Sequence, residues 1–343
     1  MMVVSSGLPI HHREALVELF PPLAYESWRP TKETLHRFTQ IVGKVRLAAS
    51  PRRNHWWNVP SHLTGRGLTT RPMGLTDQGD YFCIDFDFVD HHLVVTTGQG
   101  GEVSFVLPGL SVADFYQRLH SALAELGVSA QVARPRPYDL PDTGRPFAED
   151  HEHRTYDPAQ VTRYWQILSQ VNLVLEDYAA QWSGKTSPVH HFWHTFDIAV
   201  TRFSERVIEQ PASVDPVTRE AYSREVISAG FWFGSPDFPT PAFYSYTAPE
   251  PPDLAEQPLV PASAHWLPSR GSHLAVLDYE VARTSSSPRD TVRSFLDSAY
   301  HAGARLAGWD TTRDICPGGI TDPVIAPVSW PASGAFREGG SPP

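Results

Sequence analysis

The chain carries one pattern of side chains twice, and a repeat of this kind restricts the fold more than any single motif. Residues 36–49 read HRFTQIVGKVRLAA and residues 162–175 read TRYWQILSQVNLVL, with Arg, Gln, Ile, Val and Leu at the same five places. Both are helical by period: Leu35, Phe38, Val42 and Val45 share one face, as do Val161, Trp165, Leu168 and Leu175. Start signals stand at Thr31, after Arg29-Pro30, and at Asp157, before Pro158. A second pair of segments closes each half. VADFYQRLHSALAELG (112–127) matches TVRSFLDSAYHAGARLAG (291–308) at Val112/Val292, Phe115/Phe295, Ala122/Ala302, Ala124/Ala304 and Leu126/Leu306. Ser111 and the Pro288–Asp290 region mark the starts of these helices.

Strand-like segments fill the space between. In the first half they cover about 55–64, 81–89, 92–97 and 102–107, clearest in YFCIDFDFV, where Phe82, Ile84, Phe86 and Phe88 alternate with Cys83, Asp85 and Asp87. In the second half they cover about 190–203, 221–233, 242–247 and 273–279. The expected fold is α+β: a duplicated helix–four antiparallel strands–helix unit, the copies joined about a pseudo-twofold axis, with helices packed on the antiparallel sheet. The boundaries are a flexible leader (1–20), a first unit (21–133), a Pro- and charge-rich linker (134–156), a second unit (157–309) with a Pro-rich insertion (249–272), and a flexible tail (310–343).

Composition removes several classes of function. No apolar run approaches the roughly 20 residues that span a bilayer. The N-terminus lacks a basic start and an apolar stretch of signal-peptide length. Two cysteines, Cys83 in a strand and Cys316 near the end, make neither a disulfide framework nor a CxxC motif, so the expectation is a cytosolic protein with reduced thiols. A formal charge of -10 with scattered Lys and Arg argues against a nucleic-acid binder. Seventeen Phe, twelve Tyr and ten Trp supply an aromatic core and the walls of a pocket.

Two segments at equivalent places have the most unusual composition: RRNHWWNVPSHLTGRGL (52–68) and SPVHHFWHTFDIAVTRF (187–203). Each sets His shortly before Trp and an Arg at the same spacing, His55 to Arg66 and His191 to Arg202. If an axis relates the units, these segments become neighbours and bring imidazoles together. Imidazole is the commonest metal ligand and titrates near neutrality. Within one strand His190 and His194 point one way while His191 and Trp193 point the other, so a site needs both segments. The candidate set is His190, His55 and a carboxylate, Glu225 foremost with Asp85 or Asp87 beside it. These residues would act in acid–base catalysis or ligate a divalent metal, zinc or iron. Trp57, Trp193, Arg202, Tyr222 and Tyr246 are the candidate substrate-binding residues. Against this stands the plainer reading, in which the imidazoles are core side chains bonded to backbone and no closed ligand spacing exists. Asp85 and Asp87 then form the solvent side of a half-buried sheet, Asp197 pairs with Arg202, and Glu225 pairs with an Arg. GQGGE (98–102) is a hairpin turn, and His11, His12, His91, His92, His151 and His153 face water.

The runs LAYESWRPTKETLHRFTQIVGKVRLA, NHWW, RGLTT, DFDFVDHHL, SPVHHFWHTFDIAVTRFS, REAYSREVISAGFW and FYSYTAPEP resemble a bacterial family, domain of unknown function 5996, from about Leu23 to Trp309. The resemblance implies a bacterial protein and brings no activity or cofactor with it. In the family pattern one His stands at the position of His190, often followed by Phe-Phe-Trp. His191 and His194 depart from that pattern, which directs attention to His190.

Three functions follow as expectations. The first is an enzyme acting on a small molecule in an aromatic, His-containing pocket between the units, with or without a metal. The second is a non-catalytic binding or sensing module, and the third a scaffold with no converging polar groups. Convergence of His55, His190 and Glu225 separates them. Oligomeric state is not legible.

Overall fold

The computed structural model describes residues 18–269, 271–322 and 324–325. The first half opens with α1 (Tyr25–Ala49), which begins ahead of Thr31 and carries Pro30 within it. Five strands follow: β1 (His62–Leu63), β2 (Gly67–Thr69), β3 (Phe82–Asp87), β4 (His92–Thr97) and β5 (Glu102–Val106). α2 (Val112–Glu125) closes the half, started by a capping box in which Ser111 and Asp114 each accept from the other's backbone N–H. The second half opens with α3 (Pro158–Ala180), whose first amides are capped by Asp157. Then come β6 (His190–Phe192), β7 (Asp197–Val207), the short helix α4 (Pro216–Ala221), β8 (Arg224–Trp232), β9 (Ala242–Ala248), β10 (His265–Ser269) and β11 (Ser272–Asp278). α5 (Tyr279–Arg283), α6 (Pro288–Leu306) and α7 (Thr311–Asp314) follow.

The fold is α+β, with two antiparallel sheets ordered β1-β2-β3-β4-β5 and β10-β11-β9-β8-β7-β6. Both halves run helix, sheet, helix, but they hold five and six strands where four were expected. The differences have local causes. The span 190–203 is two strands, because Phe196 takes a left-handed backbone and turns the chain at 193–196. His194 therefore lies in a turn and not on the strand face. The span 55–64 opens with a 3-10 turn at Asn54–Trp56, with His55 and Trp56 both at positive φ, and is strand only at His62–Leu63. The Pro-rich span 249–272 supplies β10, hairpin-paired with β11. The leader through residue 17, with His11 and His12, and the tail from residue 326 lie outside the described residues. Nearer the core the tail is anchored: Trp182 bridges Ile315, and Cys316 is buried.

Alternation decides what each sheet faces. Phe82, Ile84 and Phe86 of β3 turn to the helices, where Phe38 of α1 stacks on Phe115 of α2 at 4.1 Å and Phe86 lies parallel to the same ring. In the second sheet Ile198, Val200, Ile227, Ala229 and Phe231 turn to α3 and α6. Gly303 of α6 packs so tightly that a Cβ there would collide with Thr247 of β9. The two helix layers join where Trp28 of α1 stacks on Tyr164 of α3, 5.4 Å between rings.

The sheets meet edge to edge. Ser61 and His191 exchange both backbone hydrogen bonds, at 2.9 and 3.0 Å, so the strand ends β1 and β6 are neighbours. The segments 52–68 and 187–203 are therefore neighbours.

Candidate functional site

The three residues expected to converge do not. Glu225 lies beside Val226, which pairs with Phe203 on β7, so its side chain takes the opposite face from Phe203 and points to the helix side. There it accepts from the Ser204 hydroxyl (2.8 Å) and the Trp309 indole (3.1 Å) and pairs with Arg206 (2.8 Å). His190 takes the other face: His191 turns inward to the Tyr164 hydroxyl at 2.8 Å, and alternation sends His190 outward. His55 shares that outer face, with its ring 4.5 Å from the Phe203 ring. His190 pairs with Ala199, four residues along β7 from Phe203, so the β7 neighbours of the two imidazoles lie about 13 Å apart along the strand. The acid–base and metal set of His55, His190 and Glu225 is thus not assembled.

His55 is held by its surroundings. Its Nδ1 faces the carbonyls of Glu220 (3.1 Å) and Ala221 (3.3 Å), so Nδ1 carries the proton and Nε2 accepts from the Lys185 ammonium at 2.7 Å. Burial, then the Lys185 charge, lowers its pKa. The substrate-binding candidates are dispersed as well. Trp57 packs beside His55 and Phe203, and the Tyr222 and Tyr246 hydroxyls meet at 3.0 Å on the same outer face. Arg202 faces the helices, stacked on Tyr178 (3.8 Å) and Tyr300 (4.4 Å), with Nη2 donating to the Tyr178 carbonyl. It makes no pair with Asp197, which accepts instead from Thr195 and Tyr244. Trp193 is a strut between α1 and the loop before β1, its indole donating to the Val59 carbonyl.

The histidine that meets His190 is His62, from the segment expected to lie beside it. The rings face each other edge-on at 5.1 Å across the seam, 6% and 1% exposed. Nδ1 of His190 is buried with no partner. Around the pair stand three arginines: Arg46 from the last turn of α1, Arg53 ahead of the 3-10 turn, and Arg71, which leaves β2 in a left-handed backbone. Burial, reinforced by these charges, pushes both imidazoles down to about 3, so they are neutral at pH 7. Arg46 is 6% exposed, and its Nε meets no acceptor. Burial and then the Arg71 charge push it down to about 10, which still leaves it charged. None of the three arginines forms an ion pair among the described residues. Neutral donors and positive charge therefore converge where the halves join, and Glu176 is the carboxylate on which the Arg71 charge acts.

A family model described as "Family of unknown function (DUF5996)" matches residues 20–315. The chain belongs to that family. No curated protein and no solved structure matches it.

Elsewhere in this DUF5996 protein, the acidic cluster nearest to metal-binding geometry is internally paired. Asp142, Asp150 and His153 are the one group among the described residues whose atoms lie close enough to hold a metal. Guanidinium groups occupy that role: Arg37 binds Asp142 at 2.6 Å and Asp150 at 3.5 Å, and Arg145 reaches Asp150 at 3.2 Å. His153 bonds Asp150, and His91 bonds Tyr156, so neither simply faces water. Asp87 is tied to Arg66, while Asp85 keeps one oxygen buried without a partner and its pKa is raised by burial. Two open surface clefts, about 470 and 640 Å³, lie along α2 and between Arg52 and α4. One acid of the second, Glu220, already serves Arg52 and His55. Unsatisfied polar atoms say more about a ligand than open volume does; they occur at several places among the described residues, and His190 Nδ1 and Arg46 Nε are the two beside the seam.

His62 was present in the 52–68 segment and passed over for His55. The missed signal was the alternation of Ser61-His62-Leu63 beside a pairing partner. Arg46 gave no local signal at all.

Proposed function

We propose that this DUF5996 protein binds a small molecule at the seam between its halves, where His62 and His190 fix the ligand's orientation. The observation that carries the reading is the buried, partnerless Nδ1 of His190, whose ring meets a second buried imidazole. An orphaned buried polar atom costs about 1–3 kcal/mol, and a ligand that bonds it recovers that cost. A scaffold that paired only through apolar surface would need no such convergence. Imidazoles held near 3 are poor proton carriers at neutral pH, which favours binding over acid–base catalysis by the ligand-free protein. A divalent zinc or iron ion is disfavoured beside three guanidinium groups that form no ion pair among the described residues. Free Cys83 and Cys316 suit a cytosolic protein, and no described helix is long and apolar enough to cross a membrane.

The test is imidazole nitrogen NMR on untagged protein, with His62 and His190 assigned by substitution, during addition of a low-molecular-mass cell extract. Shifts at His62 and His190, with His55 unmoved, are expected. An extract that moves neither ring, combined with no co-purified molecule by native mass spectrometry, overturns the reading.

A further inference from the structure

Three arginines of the described chain are buried: Arg37, Arg46 and Arg202. Two have their charge answered. Arg37 is paired with Asp142 and Asp150, and Arg202 lies against Tyr178 and Tyr300 with a backbone carbonyl on Nη2. Among the described residues Arg46 has no ion pair and no aromatic ring against its guanidinium, and its buried Nε, like that of Arg202, meets no acceptor. Arg71 and Arg53 repel Arg46, Cys83 is the neighbour that favours its charge, and the Arg71 charge also acts on the Glu176 carboxylate. A guanidinium is taken out of water at a cost of several kcal/mol unless it is paired. A chain that leaves one unpaired, and adds two like charges beside it, lacks the anion that completes the arrangement.

We infer that the ligand of the seam site carries a phosphate group, bound by Arg46, Arg53 and Arg71 with the His62 and His190 ring N–H groups as neutral donors. This rests on the reading of the seam as a small-molecule site and names the chemistry of its ligand. Guanidinium forks match the oxygens of a phosphate in pairs. A phosphomonoester brings close to two negative charges and three strong acceptor oxygens. That number suits several guanidinium groups and two imidazole donors, whereas a monocarboxylate has one charge and two oxygens. Arg53 and Arg71 are exposed and form the solvent side of the cluster, while Arg46, His62 and His190 form its buried side. The buried members select a small molecule, because the backbone of a nucleic acid is not admitted to side chains this enclosed. The left-handed backbone of Arg71, a non-glycine residue, is the kind of local strain that gathers at ligand sites.

The test is calorimetric titration of the untagged full chain with inorganic phosphate and with methyl phosphate, in chloride buffer at pH 7.5, beside acetate. Arg46→Met and the control Arg206→Gln are titrated in parallel, and thermal midpoints are recorded without ligand. Saturable phosphate binding at one site is expected, weakened about 10- to 100-fold in Arg46→Met, as loss of a charged hydrogen bond implies, and unchanged in Arg206→Gln. The ligand-free Arg46→Met variant is expected to melt at or above the parent, because it loses an uncompensated buried charge. A lower midpoint with unchanged phosphate affinity assigns Arg46 a structural role and overturns the inference. So does acetate binding as tightly as phosphate, or no phosphate binding by the folded parent. If cell extract moves the His62 and His190 signals and phosphates do not, the phosphate class fails and the seam site stands. If neither moves them, the site itself fails.

Discussion

Two buried acids show how the surroundings of a residue set its role. Glu225 stands between apolar runs in sequence and looks like a catalytic carboxylate. Its oxygens are fully engaged by Ser204, Trp309 and Arg206, so it ties β7 and β8 to the end of α6. Glu225→Ala is expected to lower stability by about 2–3 kcal/mol in urea unfolding, as loss of charged hydrogen bonds does, with ligand binding at the seam unchanged. Asp150 is the second. Burial would raise its pKa, but hydrogen bonds from His153 and the nearby Arg37 charge overcome that and bring it to about 2. The folded form therefore binds fewer protons than the unfolded chain. Its contribution, about 2 kcal/mol for a shift of this size, is present above about pH 5 and lost as the pH falls through the folded value. Parent minus Asp150→Asn stability, measured by urea unfolding from pH 6 to pH 2, should fall by about that amount. A flat difference would refute the assignment.

At the scale of elements, α1 joins the two halves. His36 on α1 lies within hydrogen-bonding distance of the Trp193 and His194 carbonyls, at 3.1 and 3.2 Å, and Gln40 accepts from the Tyr138 amide at 2.8 Å. One turn further, Gly43 lets the Trp193 indole lie directly on the helix, where any Cβ would overlap the ring. Gly43→Ala is expected to cost about 1–3 kcal/mol by overpacking, read by thermal or urea unfolding. Because Trp193 immediately follows β6, the same change should displace His190 and weaken seam binding. An alanine variant with parental stability would show that the contact is looser than this packing implies.

For the molecule as a whole, the sheet junction is narrow. Two backbone hydrogen bonds between Ser61 and His191 join the sheets, backed by the Trp28–Tyr164 stack in the helix layer. Ser61→Pro removes the donor at residue 61 and is expected to open the seam, with hydrogen exchange rising at residues 189–192 while β3–β5 and β7–β9 keep their protection. Stability should fall by about 1–3 kcal/mol. Unchanged exchange at His191 would mean that the helix layer alone holds the halves together.

The sequence by itself determined the α+β class, the positions of the long helices and most central strands, the matching order of elements in the two halves, and the neighbourhood of the segments around His62 and His190. Those features are local: periods of 3.6 and 2, caps at Ser111 and Asp157, and the same pattern written twice. Tertiary structure alone decided which histidine meets His190, that Glu225 faces away from it, and that Arg46 is left without a partner. Strand alternation makes a one-residue difference a change of face, so His55 and His62, close in sequence, meet different neighbours. Whether a charge is answered depends on groups far along the chain, as the contrast between Arg37 and Arg46 on the same helix shows. No local pattern records that.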